Sequence, residues 1–120
     1  MKDTPSDSDL AHITAWQVDD AGYRPLFAFV YDRWDHTVGR WKRNGSLYRL
    51  TTGGWSGNEA LIDALRGNAV FWGLTFVAHI TGGLYFFDDA QDAEWTPRVR
   101  ADLLTELRRA GLATFRSTTS

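Results

Sequence analysis

The sequence predicts an α+β domain, in which an antiparallel sheet of about five to six strands packs two helices on one face. The pairs Asn44-Gly45 and Gly82-Gly83 lie between apolar segments and predict two hairpins, which favour antiparallel pairing. Two other segments have helical spacing of apolar residues, one within residues 51–68 and one that begins at Pro97. The helices follow or separate the hairpins, so they can pack together on the sheet.

Composition limits the class of protein. The chain has 120 residues, no cysteine and a net charge of -2, which indicates one domain without disulfides or thiolate metal sites. No segment approaches the roughly 20 apolar residues of a membrane span, and the N-terminus has no apolar segment typical of a signal peptide. We therefore expect a soluble cytoplasmic protein that has no contact with membranes.

The first part of the chain is expected to be a tail followed by two strands. Residues 1–10 are polar and acidic, which predicts a flexible N-terminal tail; residues 11–116 form the domain, and residues 117–120 form a flexible C-terminal tail. Residues 11–18 alternate in the manner of a strand. Residues 26–31 are almost continuously apolar and rich in strand formers, which predicts a central strand.

The first hairpin has a testable register. A type I′ turn at Asn44-Gly45 would place four pairs opposite one another: Arg43 with Ser46, Lys42 with Leu47, Trp41 with Tyr48, and Arg40 with Arg49. Alternation then separates two faces, one with Trp41, Tyr48 and Leu50, the other with Arg40, Lys42, Leu47 and Arg49. We expect the aromatic face to pack on the core and the other face to present positive charge.

A glycine-rich loop then leads into a helix within residues 51–68. Gly53, Gly54 and Gly57 allow backbone conformations that other residues disfavour. Ser56 and Glu59 have the spacing of a capping box. The alternative is that the loop binds an anion at the helix N-terminus. The loop has neither lysine nor a phosphate-binding glycine pattern, so the sequence favours the structural role.

The second hairpin and a last helix complete the predicted fold. Residues 70–80 and 84–87 are expected to be strands around Gly82-Gly83, and the expected pairs are Ile80 with Tyr85, His79 with Phe86, and Ala78 with Phe87. The expected core face of the first strand carries Leu74, Phe76, Ala78 and Ile80. Residues 88–94 are expected to be a solvated acidic loop, because they lack the spacing of a calcium loop. Thr96 caps the last helix, which ends at Gly111, and residues 112–115 form a short edge strand.

Six residues are candidates for binding: Trp55, Arg40, Lys42, Arg43, Arg49 and Trp34. The basic residues can bind phosphates or an acidic protein surface, and Trp34 or Trp55 can provide a stacking surface for single-stranded nucleic acid. The alternative is a solvated strand face with salt bridges to nearby carboxylates. Six tryptophans exceed what one small core holds, so some are expected to be exposed as anchors of a protein interface.

Catalysis finds little support in the sequence. The histidines (His12, His36 and His79) are scattered, and no nucleophile motif accompanies them. Asp32, Asp35 and His36 could meet a metal, but such local neighbours are common by chance. We expect no catalytic residue, cofactor or metal; a small hydrolytic or metal-dependent enzyme is the third hypothesis.

One stretch resembles a known family. The segment TGGWSGNEALIDALRGNAVFW, followed by an aromatic strand and the pattern Gly-Gly-x-Tyr-x-Phe, is similar to small uncharacterised bacteriophage and prophage proteins. The resemblance covers about residues 50–87, and TGGWSGNE is its most specific part. Members often have a basic step before the Gly-Gly turn, where this chain has His79-Ile80-Thr81. The resemblance implies a phage-encoded protein that acts in the host cytoplasm during infection.

The leading hypothesis is a non-enzymatic binding protein that engages a host macromolecule, as a host-takeover or defence-modulating protein. Its expected partner is a host protein that it occludes, with Trp55 as an anchor and the face from Arg40 to Arg49 providing electrostatic complementarity. The alternative is nucleic-acid or nucleotide binding through the same basic hairpin with aromatic stacking. An exposed edge strand or tryptophan patch could also form a homodimer.

Overall fold

A computed structural model describes residues 3–89 and the backbone of residues 114–115. Along the chain these residues form α1 (Asp7–Thr14), α2 (Arg24–Arg33), β1 (Arg40–Asn44), β2 (Leu47–Thr51), α3 (Ser56–Gly67), α4 (Ala69–Thr75), β3 (Phe76–Ile80), β4 (Leu84–Asp88) and β5 (Thr114–Phe115). The strands make one antiparallel sheet in the order β1-β2-β4-β3-β5. The α+β class and the antiparallel sheet are confirmed, but two predicted strands are helices.

Helix α1 replaces the strand that was predicted at residues 11–18 and begins within the predicted tail. The hydroxyl of Ser6 accepts a hydrogen bond from the backbone N–H of Asp9 (3.0 Å) and so caps the helix. Two aspartates in the first turn suit the helix dipole. Ile13 is the buried residue of α1. One buried position is too few to define the alternating face that a strand would need.

Helix α2 replaces the central strand predicted at residues 26–31. Pro25 lies in its first turn, where the missing N–H costs nothing. Leu26, Phe27 and Val30 are buried at helical spacing, whereas Ala28 and Tyr31 are exposed. The apolar run was wrongly read as a strand because its length and residue types do not separate a short buried helix from a strand.

Helix α4 occupies the first half of the strand predicted at residues 70–80. The side chain of Asn68 caps it by accepting a hydrogen bond from the backbone N–H of Phe71 (3.1 Å). The amide of the same side chain donates to the carbonyl oxygens of Ile13 (3.1 Å) and Trp16 (2.8 Å). Leu74, which was predicted to face the core, is 56% exposed because it lies on the outer side of α4.

The β1–β2 hairpin forms with a register different from the predicted one. Asn44 pairs with Leu47, and Lys42 pairs with Arg49, so the turn residues are Gly45 and Ser46. Gly45 has a positive φ of 62° at the first central position of the turn, where type II′ turns need glycine. Each partner shifts by two residues, an even number, so the predicted division of residues between the two faces is correct.

The β3–β4 hairpin has a three-residue turn, which also changes the predicted pairs. His79 pairs with Tyr85 and Ile80 with Leu84, with Gly82 and Gly83 both at positive φ in the turn. An irregularity between Phe76 and Ala78 shifts the register within β3. Phe76 therefore packs on the helix side of the sheet, whereas Ala78 and Ile80 belong to a cluster on the opposite side.

Apolar residues are buried on both faces of the sheet. The larger cluster joins the four helices to one face, through residues that include Phe27, Tyr48, Leu61, Phe71 and Phe87. The smaller cluster consists of Val77, Ala78, Ile80 and Phe86. The short strand predicted at residues 112–115 is confirmed as β5, which pairs with β3. The predicted helix that begins at Pro97, the acidic residues after position 89 and the C-terminal tail lie outside the described residues.

Candidate functional site

The glycine-rich loop belongs to a buried junction whose centre is Asn58. The side chain of Asn58 is 0% exposed and accepts a hydrogen bond from the backbone N–H of Asp35 (2.9 Å). Its amide group donates to the carbonyl oxygens of Asp35 (3.2 Å) and Thr52 (3.2 Å). One side chain thus joins the first turn of α3 to the end of β2 and to the segment between α2 and β1.

Two glycines allow backbone segments to approach closely at this junction. A Cβ on Gly53 would lie 2.0 Å from the carbonyl oxygen of Val38, and the φ of Gly53 is 65°. A Cβ on Gly39 would lie 2.2 Å from the carbonyl oxygen of Thr51. Gly53 and Gly39 therefore fix the distance between the glycine-rich loop and the start of β1, because any side chain would separate them.

The predicted capping box is wrong in its details. Helix α3 begins at Ser56, its N-cap residue is Trp55, and no side chain caps it by a hydrogen bond. Glu59 instead accepts a hydrogen bond from the hydroxyl of Thr52 (3.4 Å), and the same hydroxyl accepts one from the N–H of Gly54 (3.3 Å). The loop is therefore ordered by Thr52 and Asn58 rather than by Ser56. Anion binding at this helix end stays the less favoured alternative.

Trp55 is half-buried at the mouth of the junction. A Cβ on Gly57 would lie 2.3 to 2.5 Å from carbon atoms of the Trp55 ring, so the ring lies directly over the first turn of α3. The ring of Trp55 occupies the space that a side chain at position 57 would otherwise fill. The indole is thus held in place while part of it stays accessible, as an interface anchor requires.

The basic candidates lie on and beside the edge strand β1. Arg40, Lys42 and Arg43 are exposed, and Arg49 of the neighbouring strand β2 is half-buried. Because Lys42 pairs with Arg49, the predicted opposition of Arg40 and Arg49 is wrong; Arg40 pairs with Thr51. Within residues 3–89, no ion pair involves Arg40, Lys42 or Arg43.

Arg43 lies on the other face of β1 from Arg40 and Lys42. Its Nε donates to the carbonyl oxygen of Gly45 (2.7 Å), and its guanidinium carbon lies 5.6 Å from the ring centroid of Tyr48. These contacts orient the guanidinium toward the hairpin turn. The hairpin thus presents positive charge on both of its faces.

Trp34 was predicted as an exposed stacking residue, and this prediction is wrong. Its side chain is 0% exposed and packs edge-on against Trp41, with 5.5 Å between the ring centroids. The residue follows α2 directly and continues the buried side of that helix. Trp34 therefore supports the core beneath β1 instead of contacting a partner.

The exposed aromatic residues at this place are Tyr31 and His36. Tyr31 is 47% exposed, and its ring centroid lies 5.3 Å from that of Trp41 and 4.4 Å from that of His36. A ring nitrogen of His36 is hydrogen-bonded to the carbonyl oxygen of Tyr31 (3.0 Å). Tyr31 was not predicted as a site residue because residues 26–31 were predicted as a central strand; the structure places it in the last turn of α2.

We call this region the β1 surface and define it by the cations and aromatic residues that border the edge strand: Tyr31, His36, Arg40, Trp41, Lys42 and Arg43. Its members come from the end of α2, the following turn and β1. Asn58 and Gly39 hold these three segments at the same junction as Trp55. The structure thus combines three of the four predicted basic residues with aromatic residues that were not predicted to belong to the site.

Two nearby carboxylates, Asp35 and Asp89, are buried and hydrogen-bonded away from Arg40, Lys42 and Arg43. Asp35 is 2% exposed and accepts hydrogen bonds from the backbone N–H and the hydroxyl of Thr37. Asp89 is also buried, and it accepts hydrogen bonds from the hydroxyl of Tyr48 (2.6 Å) and from Nε of Arg24 (3.2 Å). Burial, together with this hydrogen bond to Asp89, raises the pKa of Tyr48 well above its ordinary value. The first two residues of the predicted acidic loop, Asp88 and Asp89, are therefore buried rather than solvated.

The three histidines have separate environments. His12 packs against Trp16, with 4.9 Å between ring centroids, and His79 is stacked on Tyr85 at 4.3 Å. Burial and the nearby charge of Arg66 lower the pKa of His79. Among the described residues, no group of three or more histidine, aspartate or glutamate side chains is arranged to hold a metal ion.

No protein-family model, curated protein or solved structure matches this chain. In the part of the chain that the structure describes, no helix is long and apolar enough to cross a lipid bilayer. The assignment of a function therefore depends on the β1 surface and on Trp55.

Proposed function

We propose that this chain is a small, non-enzymatic binding protein that engages a macromolecular partner through the β1 surface. The observation that supports this proposal is the group of Arg40, Lys42 and Arg43, exposed on an edge strand without an ion pair within residues 3–89. Protein interfaces use both kinds of group: the cations attract a partner of opposite charge over a distance, and an aromatic ring supplies area that is buried on binding.

Trp55 is proposed as a second anchor of the same protein. Its ring is already ordered over Gly57, so binding would cost little side-chain entropy. Following the resemblance to phage proteins, we propose a host protein as the partner and the host cytoplasm as the place of action. The protein would act by occluding a surface of that partner.

Direct binding of single-stranded nucleic acid is the second candidate. Tyr31 and His36 are exposed aromatic side chains that pack beside Trp41 of β1, and stacking of bases on such rings is tolerant of sequence. The salt dependence of binding separates the two candidates. Several phosphate contacts would give a steep loss of affinity with added salt.

The experiment is capture of tagged protein from bacterial lysate with and without nuclease, compared with the double variant Arg40→Glu/Lys42→Glu. The control for a loss of positive charge is Arg66→Glu, a single charge reversal on α3 that also removes the ion pair with Asp63 (3.3 Å). A defined protein that survives nuclease, is lost in the double variant and is retained in the control supports the proposal. Capture that does not differ between the double variant and the control contradicts it. Recovery of nucleic acid alone, lost with nuclease, favours the second candidate.

A further inference from the structure

Among the strands of the described residues, β1 is at one end of the sheet and pairs with β2 alone. An edge strand presents main-chain donors and acceptors that another extended chain can use. Proteins often protect such edges with charge, and Arg40, Lys42 and Arg43 have this effect against unspecific pairing. The same charges favour a partner of opposite charge, so this edge can bind an acidic segment while it disfavours other extended chains.

The register shows which main-chain groups point to the open side. The residues that flank a two-residue turn, here Asn44 and Leu47, form a hydrogen-bonded pair. Because hydrogen-bonded and non-hydrogen-bonded pairs alternate along an antiparallel ladder, Lys42 and Arg49 form the next hydrogen-bonded pair. The intervening residues Trp41 and Arg43 then direct their N–H and C=O groups away from β2. An added strand would therefore pair with Trp41 and Arg43.

The side chains beside this edge define the chemistry of the added strand. Arg40 and Lys42 lie on one face, where the neighbouring positions of an added strand would favour carboxylates. Trp41 and Arg43 lie on the other face. The ring of Tyr31 is exposed beside Trp41, and Nε of Arg43 is held by the carbonyl oxygen of Gly45, so the position next to Trp41 would favour an apolar side chain. Because side chains alternate along a strand, the fitting segment alternates acidic and apolar residues.

A second copy of β1 does not fit this edge. Antiparallel pairing of two β1 strands about Lys42 would set Lys42 opposite its own copy and bring three cationic side chains from each chain together. Like charges directly opposite one another destabilise a sheet. Of the possible homodimers, one formed through β1 is thus disfavoured.

We propose that β1 binds an extended segment of a partner protein, with alternating acidic and apolar residues, as an additional strand of the sheet. This inference rests on the proposed function, because it specifies how the β1 surface recognises its partner. Main-chain hydrogen bonds would supply affinity, and the two faces of β1 would supply specificity. Nucleic acid, which cannot make these main-chain pairs, is the competing occupant.

The test uses a fluorescein-labelled peptide of alternating glutamate and valine, about as long as β1. Its control has the same composition, with all glutamates before all valines, and a labelled single-stranded oligonucleotide tests the competing occupant. Binding is measured by fluorescence anisotropy with the full chain. We expect the alternating peptide to bind more tightly than the control peptide and the oligonucleotide.

Two substitutions at one position separate charge from main-chain pairing. Arg43→Ala removes the guanidinium and keeps the outward N–H, whereas Arg43→Pro removes both and leaves the β1–β2 hydrogen bonds intact. We expect Arg43→Ala to weaken binding modestly and Arg43→Pro to weaken it by at least about tenfold more, since a main-chain bond is lost and the ring obstructs the edge. In the unmodified protein, the amide protons of Trp41 and Arg43 should gain protection from exchange when the peptide binds, which tests the pairing even if a variant does not fold.

Equal binding of Arg43→Ala and Arg43→Pro, or of the alternating and control peptides, would overturn strand addition. Tighter binding of the oligonucleotide would also overturn it. The proposed function fails separately: if lysate capture still depends on Arg40 and Lys42 while the alternating peptide does not bind, the β1 surface is a binding site but not one for an added strand.

Discussion

Asn58 and Asp35 exchange two hydrogen bonds in the interior of the protein, 23 residues apart in the sequence. The backbone N–H of Asp35 donates to Oδ1 of Asn58 (2.9 Å), and Nδ2 of Asn58 donates to the carbonyl oxygen of Asp35 (3.2 Å). The pair connects the first turn of α3 to the segment that precedes β1. The position of the β1 surface relative to Trp55 therefore depends on one buried amide.

The first prediction concerns this amide. Asn58→Ala should lower the free energy of unfolding by about 3 kcal/mol, because it leaves buried groups of Asp35 and Thr52 without partners. Urea denaturation measures the change, and Asn44→Ala, at an exposed strand position, is the control. A loss for Asn58→Ala no larger than that of the control would show that the junction does not stabilise the fold.

The second prediction compares two sites at the starts of helices. Ser56→Ala should change the free energy of unfolding by less than about 0.5 kcal/mol, since Ser56 is exposed and caps nothing. Asn68→Ala should cost at least about 1 kcal/mol, because Asn68 caps α4 and also bonds two carbonyl groups. Thermal and urea unfolding of both variants provide the measurement. The reverse order would restore Ser56 as the cap of α3.

Local patterns predicted the parts of the fold that local chemistry determines. Helix α3 and both hairpins were predicted from sequence patterns that are typical of few other structures, and all three are present in the fold. The registers of the hairpins were wrong because the first turn lies one residue later than predicted and the second has three residues instead of two. The position and length of a turn depend on how the glycines and their neighbours pack. The period of the apolar pattern carries no information about this packing.

The misread helices have a different cause. The apolar residues of α2 belong to the cluster between the helices and the sheet, where the ring of Phe27 is stacked on that of Tyr48 (3.9 Å between centroids), so tertiary packing rather than strand propensity decided their conformation. Pro25 was the local indication of a helix start. The binding candidates were affected too: Trp34, which was predicted to bind, is buried, whereas Tyr31, which was not, is exposed.

The third prediction separates two adjacent glycines of the TGGWSGNE motif. Gly54→Ala should cost about 1 kcal/mol, because the residue has a φ of 76° but open space around it. Gly53→Ala should cost more than about 3 kcal/mol, because a Cβ there would also overlap the carbonyl oxygen of Val38. Urea denaturation of the two variants gives the comparison. Equal costs would mean that only the φ angle matters and that the loop does not approach Val38 closely.

The fourth prediction concerns acid pH and His79. Burial first, and then the charge of Arg66, lower the pKa of His79 below its ordinary value near 6.5. Between the lowered pKa and 6.5, the unfolded chain binds more protons than the folded one. The free energy of unfolding should therefore fall as the pH decreases from about 7.5 to about 5.5, and the contribution of His79 to that fall should end below its folded pKa.

His79→Phe tests this prediction, because phenylalanine can keep a ring stacked on Tyr85 but takes up no proton. Its unfolding free energy, measured in urea across the same pH range, should decrease less than that of the unmodified protein. Arg66→Gln removes the nearby cation and should also reduce the dependence, although by less, because burial is the larger cause. His12 and His36 are present in all three proteins, so the comparison concerns His79 and Arg66 alone. Parallel pH profiles for the unmodified protein and His79→Phe would show that the environment of His79 does not disfavour its charged form.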